Sequence, residues 1–122
     1  IGSRYCKGGK TNDAFFSFLM SQILNFIMRL IIGVHARDIS TSFRMYRTDL
    51  LKSVHLVCTN YEVLEEVILR MKKINKSISI TEVPIVFEKR MYGRSKRKLF
   101  SFMLTYIKTV FLFIRIRMSN AA

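Results

Sequence analysis

Proline occurs once, glycine five times and cysteine twice in 122 residues. So little proline and glycine excludes a low-complexity segment. Two cysteines, Cys6 and Cys58, are too few for a disulfide scaffold and read as reduced thiols of a cytoplasmic protein. Acid is the other shortage: 8 Asp and Glu stand against 21 Lys and Arg, a formal net charge of +13. Half of the residues are nevertheless apolar, which excludes a disordered basic tail. The length allows one domain at most. A chain both this basic and this apolar points to a membrane surface, a nucleic acid or a phosphate-rich ligand. It starts at Ile1 with no signal-peptide pattern, and the expectation is the back part of a longer protein.

Residues 1–12 read as a glycine-broken loop carrying Arg4, Lys7 and Lys10. Asn12 or Asp13 is the expected cap of the helix that follows. Residues 14–32 are apolar except for Ser17, Ser21, Gln22, Asn25 and Arg29, and steps of four align four of these on one stripe. The length is borderline for a membrane span. The stripe favours a helix packed on protein with one face toward a polar site, closed by Gly33. Phe43 to Tyr46 read as a short extended piece, and Thr48-Asp49 opens a short helix through Val54. Thr59 and Glu62 form a capping-box pattern before an amphipathic helix over 60–73, with Glu66 and Arg70 as an i,i+4 pair. Asn75 occupies an expected left-handed turn. Residues 77–89 read as a strand with a bulge or free edge near Pro84.

Residues 88–98 carry six cations and one anion around Gly93. Such a run can fold round a phosphate, or be a solvated basic run at a membrane surface. Arg4 with its glycines has the same two readings, phosphate contact or surface loop. No Walker or Rossmann glycine spacing is present. Asp38 either orients Arg44 or holds a loop; a general-base role lacks a partner acid. His35 and His55 have no ligand spacing, so no metal site is assigned, and no Asp-x-Asp pair is present. The expected helix at 99–118 either packs in a core or lies in the membrane interface. Its phenylalanines at 100, 102, 111 and 113 favour the interface, since so small a chain has little to cover them. Nucleic acid is disfavoured, because the cations flank long apolar helices instead of lining a groove or a stacking platform.

Four segments together resemble family 2 glycosyltransferases that make polyprenyl-phosphate sugars. Gly2-Ser3-Arg4-Tyr5 with Gly8-Gly9 resembles their "GSRY-x-x-GG" loop. Arg37-Asp38-Ile39-Ser40-Thr41-Ser42-Phe43-Arg44-Met45-Tyr46 resembles "RD-x-TSGFR-x-Y". Asn60-Tyr61 through Glu66 resembles "GY-x-F-x-x-E". Glu82 to Phe87 with Arg90, Gly93, Ser95 and Lys96 resembles "EVPI-x-F-x-x-R-x-x-G-x-SK". The resemblance implies an α/β fold: the C-terminal part of a GT-A-type domain over 1–98, then an amphipathic membrane-contacting helix and tail over 99–122. It implies a parent enzyme that moves a sugar from a GDP-mannose or UDP-glucose type donor to a polyprenyl phosphate at the cytoplasmic membrane face, inverting the anomeric centre. By position, Arg4, Arg90 and Lys96 match phosphate-contacting residues, and Asn25 and Ser40 match the acceptor side. Asp38 and Arg44 fall in the same region and stand as the catalytic candidates. A divalent ion, Mg or Mn, is expected for the parent, with ligands outside this chain, so the fragment alone is expected to be inactive. The sequence departs from the pattern at Ser17, Phe18 and Leu19, at Gln22, at Ser42 and at Arg94. The alternative is a small basic, non-catalytic membrane-surface protein.

Overall fold

The computed structural model describes residues 1–88 and 99–119. It is a mixed arrangement of helices and very short strands. The elements run β1 (Gly2–Ser3), β2 (Lys10–Thr11), α1 (Phe15–Ile32), α2 (Thr48–Lys52), α3 (Val63–Ile74), β3 (Val83–Pro84), β4 (Val86–Phe87) and α4 (Leu99–Met118).

The expected N-terminal loop thus contains two strands, and the expected long strand over 77–89 contracts to two dipeptides. β1 pairs in parallel with β3, and β2 in parallel with β4. Ile85 is the handover: its N–H donates to Ser3 O at 3.1 Å, and its carbonyl accepts from Lys10 N at 3.0 Å. Strands this short cannot display an alternating pattern, so periodicity did not reveal β1 and β2. Residues 77–82 form no ladder. Asn75 is extended rather than left-handed, and its side-chain oxygen accepts from Ser77 N. The stretch Phe43–Tyr46 forms no strand either, although Phe43 O accepts from Gly2 N at 2.8 Å.

Helix α1 forms where expected, but Asn12 and Asp13 do not cap it. Its N-cap is Ala14, with no side-chain bond. Asn12 donates to Glu88 and Asp13 accepts from the Thr11 hydroxyl, so both side chains are engaged elsewhere. Gly33 closes the helix at φ 75°, a conformation that glycine adopts without a Cβ clash. The capping box before α3 is likewise absent: Glu62 occupies the N-cap without a side-chain bond. α2 ends at Lys52, two residues short of the expected Val54.

The core lies where α1, α3 and α4 meet, around Met28, Ile32, Ile39, Ile68, Tyr106 and Phe113. Phe113 is fully buried there, which corrects the expectation that protein would leave it uncovered; Phe111 does remain exposed. Outside this seam both long helices present apolar stripes. α1 exposes Phe15, Leu19, Ile23, Phe26 and Leu30, and α4 exposes Met103, Ile107, Phe111, Ile114 and Met118. Both sets step by 4, 4, 3 and 4, the spacing of one helix face. Leu30, Ile31, Ile114, Arg117 and Met118 line one cavity of about 380 Å³, so the two stripes meet at the C-terminal ends of the helices. By length and composition α1 could cross a membrane, and only 17% of it is buried. The expectation of one polar inner face holds for Ser21 and Asn25, and Met28 and Ile32 are buried in the core, while the outer face of the helix is far less covered than expected.

Candidate functional site

Asp38 is the centre of a polar cluster built from distant segments. Its side chain is fully buried. Arg4 reaches it from the loop between β1 and β2, with Nε to Oδ2 at 2.7 Å and Nη2 to Oδ1 at 3.0 Å. The Arg4 backbone N–H donates to Oδ2 as well, at 3.1 Å. This fork-on-carboxylate geometry suits Arg better than Lys. Burial works against ionised Asp38, but the hydrogen bonds and charge of Arg4 outweigh it and hold the carboxyl below the usual carboxylate range.

The remaining Arg4 atoms are engaged too. Nη2 donates to the hydroxyls of Ser21 and Ser40 at 3.2 and 3.1 Å, and Nη1 lies 3.7 Å from Asp13. The guanidinium also stacks on two rings, Tyr5 at 4.8 Å and Phe87 at 5.4 Å. Tyr5 donates its hydroxyl to Ser21 at 2.9 Å. Asn25, nearly fully buried, donates to Ser21 O and the Ser40 hydroxyl and accepts from Ile39 N at 2.7 Å.

Of the two readings of Asp38, the structure shows the one in which it holds a loop, through the Arg4 backbone N–H and side chain, and it does not orient Arg44. The Arg44 guanidinium donates to the carbonyls of Ile39, Thr41 and Leu64 and to the Tyr46 hydroxyl. Glu82 accepts from Arg37 N at 2.8 Å and Asp38 N at 3.1 Å. Four segments far apart in sequence are thereby tied together: 2–9 through Arg4, 37–46 through Asp38 and Arg44, 60–66 through Leu64 O, and 82–87 through Glu82 and Phe87. Arg90 and Lys96, the two cations expected to clamp phosphate, lie outside the described residues.

Next to this cluster α3 carries two buried glutamates of opposite character. Glu66 accepts from Arg70 Nε at 2.6 Å and from the N–H groups of Val57 and Cys58 at 2.8–3.1 Å. Burial pushes it up, but the Cys58 N–H, Arg70 and the Val57 N–H together bring it below its ordinary range. The neighbouring Cys58 thiol is pushed up to about 12 by burial and by Glu66. A thiol held there is protonated at neutral pH and a poor nucleophile. Glu65 accepts from the Tyr106 hydroxyl at 3.4 Å, and its Oε2 has no hydrogen-bond partner among the described residues. Sequence reasoning did not single out Glu65, Tyr5 or the acceptor role of Glu82. Tyr5 and Glu82 had a visible signal, their places in the motifs; Glu65 had none.

Among the described residues no three His, Cys, Asp or Glu side chains come together as a metal site. The carboxylates of Asp38, Glu66 and Glu82 are each occupied by N–H donors, so this cluster does not fit a divalent ion.

The chain is similar to three curated mannosyltransferases. It is 34% identical over 98 residues to the polyprenol monophosphomannose synthase of Mycolicibacterium smegmatis, covering 79% of this chain and 37% of that protein. It is 32% identical over 100 residues to the undecaprenyl-phosphate mannosyltransferase of Micrococcus luteus, covering 79% of this chain and 40% of the relative. It is 31% identical over 119 residues to the dolichol-phosphate mannosyltransferase of Pyrococcus furiosus, covering 94% and 30%. No family model matches the chain. No solved structure matches it significantly. By sequence, then, the chain is a homologue of part of the polyprenyl-phosphate mannosyltransferases, and it spans between 30% and 40% of their length.

Proposed function

We propose that this chain is the acceptor-side part of an inverting family 2 glycosyltransferase with a GT-A-type fold. The whole enzyme would move a sugar from GDP-mannose or UDP-glucose to a polyprenyl phosphate at the cytoplasmic face of a membrane. Residues 1–98 would form the acceptor-side part of the catalytic domain and 99–122 the membrane-contacting helix and tail. The nucleotide-binding half and its Mg or Mn site would lie in the remainder of the enzyme, and this chain alone would not catalyse transfer.

One observation carries the reading. The four segments that resemble the family's motifs are hydrogen-bonded to one another around Asp38 and Arg44. Within it, Arg4, Asp38, Asn25 and Ser40 act as positioning residues, since their polar atoms are engaged with each other. Arg44 holds the Ile39–Thr41 turn against the start of α3. Contact with the phosphates falls to Arg90 and Lys96, by their place in the motif. A lipid phosphate is already an anionic nucleophile, so the protein's task is positioning and charge neutralisation, with no strong base required. The paired apolar stripes of α1 and α4 support a membrane surface as partner. Neither helix contains an Asp or Glu, and Arg115 and Arg117 stand at the C-terminal end of α4.

The same stripes favour a second reading, a basic membrane-surface protein without catalysis. Vesicle binding separates the two. The chain should bind vesicles containing polyprenyl phosphate more tightly than vesicles of equal charge made with phosphatidylserine, and Arg90→Ala with Lys96→Ala should abolish the difference. Equal binding to both vesicles would reject the acceptor-side reading and leave the membrane-surface one.

A further inference from the structure

Glu65 sits in the seam between α3 and α4, 3% exposed. Its Oε1 accepts from the Tyr106 hydroxyl of α4 at 3.4 Å, and its Oε2 is buried with no hydrogen-bond partner among the described residues. An ionised carboxylate normally takes two or more donors when buried. The nearby charged groups do not supply them. Arg44, from the 37–46 segment, attracts the ionised form, but its N–H groups are engaged with the carbonyls of Ile39, Thr41 and Leu64 and with Tyr46. On α3 itself Glu62 repels, and Arg70 is bonded to Glu66. α1 offers Arg29 as its one charged residue, whose buried Nε likewise has no hydrogen-bond partner among the described residues; α2 offers Asp49 and Lys52, and α4 offers Lys108, Arg115 and Arg117, all exposed.

We propose that Glu65 is a protonation-dependent latch between α3 and α4: its neutral carboxyl is accommodated in the seam, and its ionised form loosens α4 from α3. The inference does not depend on the function proposed above. Burial is the largest influence on this group and pushes it up to about 7, against the pull of its own backbone N–H, Arg44 and Tyr106. When α4 lifts away, the carboxyl returns to the ordinary range. The docked state therefore binds more protons than the lifted state between that range and about 7. Docking is strongest in mild acid, weakens as pH rises to neutral, and levels off above.

Hydrogen–deuterium exchange on the full chain tests this, with rates corrected for intrinsic chemistry. The opening equilibrium of α4 should rise roughly tenfold between pH 5.5 and 8. Glu65→Gln, which cannot ionise, should show no such rise. Tyr106→Phe should keep it, because the carboxyl and not the phenol is the titrating group. A flat wild-type profile, a tenfold rise retained in Glu65→Gln, or a rise lost in Tyr106→Phe would each overturn the proposal. A carbon-13 NMR titration of the Glu65 carboxyl needs no variant. A midpoint near neutrality supports the latch, and one in the ordinary carboxylate range overturns it.

Discussion

The cluster around Asp38 and the seam around Glu65 bury the same functional group in opposite ways. Asp38 is surrounded by donors from Arg4, backbone and hydroxyl. Glu65 is equally hidden, with one hydroxyl at the outer limit of bonding distance. One carboxyl falls below its ordinary range and the other rises to about 7. Burial does not by itself decide the charge of a carboxyl; the number of donors aimed at it does. Glu66, one residue from Glu65 on the same helix, behaves like Asp38 because three donors converge on it. The two kinds of burial then have different consequences. The satisfied cluster keeps its segments tied until acid protonates its carboxylates, while the unsatisfied seam responds near neutrality.

The sharpest way to break the comparison is to remove Asp38. Arg4 has a side chain only 11% exposed, and Asp38→Ala removes its bidentate partner and leaves only the more distant Asp13, 3.7 Å from Nη1. Breaking a buried pair in this way costs about 3–5 kcal/mol. Urea unfolding should show that loss, and a change below about 1 kcal/mol would mean that Arg4 escapes to water. Glu66→Gln should cost less, roughly 1–3 kcal/mol, because one oxygen remains to accept from the Val57 and Cys58 amides.

The pH response sharpens the contrast further. Asp38 and Glu66 have lowered values, so their contribution is present above the ordinary carboxylate range and disappears as pH falls through their folded values. Glu65 has a raised value, so its contribution is complete in acid below the ordinary range and is lost as pH rises to about 7. The melting temperature should therefore pass through a maximum in mild acid. Glu65→Gln should remove the fall on the neutral side, a gain of roughly 1 kcal/mol at pH 8, and leave the acid side as it was. A variant that altered both sides equally would show that the two regions are not independent.

Much of this organisation was legible in the sequence, for reasons that particular residues show. α1, α3 and α4 are long enough for a 3.6-residue period to repeat, so their existence and type followed from apolar spacing. The Glu66–Arg70 pair followed from the same period, although its burial did not. The strands failed because Gly2–Ser3 and Lys10–Thr11 are held by partners some 80 residues away, which no local pattern encodes. The caps failed because Asn12 and Asp13 had better partners in Glu88 and Thr11. At the site, motif resemblance brought out Arg4, Asp38, Asn25, Ser40 and Arg44 as a group. It could not say that Arg4 rather than Arg44 holds Asp38, because pairing among nearby charges is decided by tertiary geometry.

The smallest expected effect tests whether burial or the mere count of hydrogen bonds sets the scale. Arg117 of α4 donates to Leu30 O at 2.9 Å and Ile31 O at 2.8 Å, two of the carbonyls that the last turn of α1 leaves without an intrahelical partner. A cation there also meets the negative end of the helix dipole. Two good bonds and a favourable dipole resemble the set around Glu66, yet Arg117 is exposed. Water can replace it as a donor, so Arg117→Ala should cost only about 0.5–1 kcal/mol. The loss should be local: amides near the end of α1 should exchange faster while those of α3 keep their protection, and Arg117→Lys should restore part of it. A loss as large as that of Glu66→Gln would mean that hydrogen-bond number governs the energetics here. The contrast between the satisfied cluster and the unsatisfied seam would then owe less to burial than to donor supply alone.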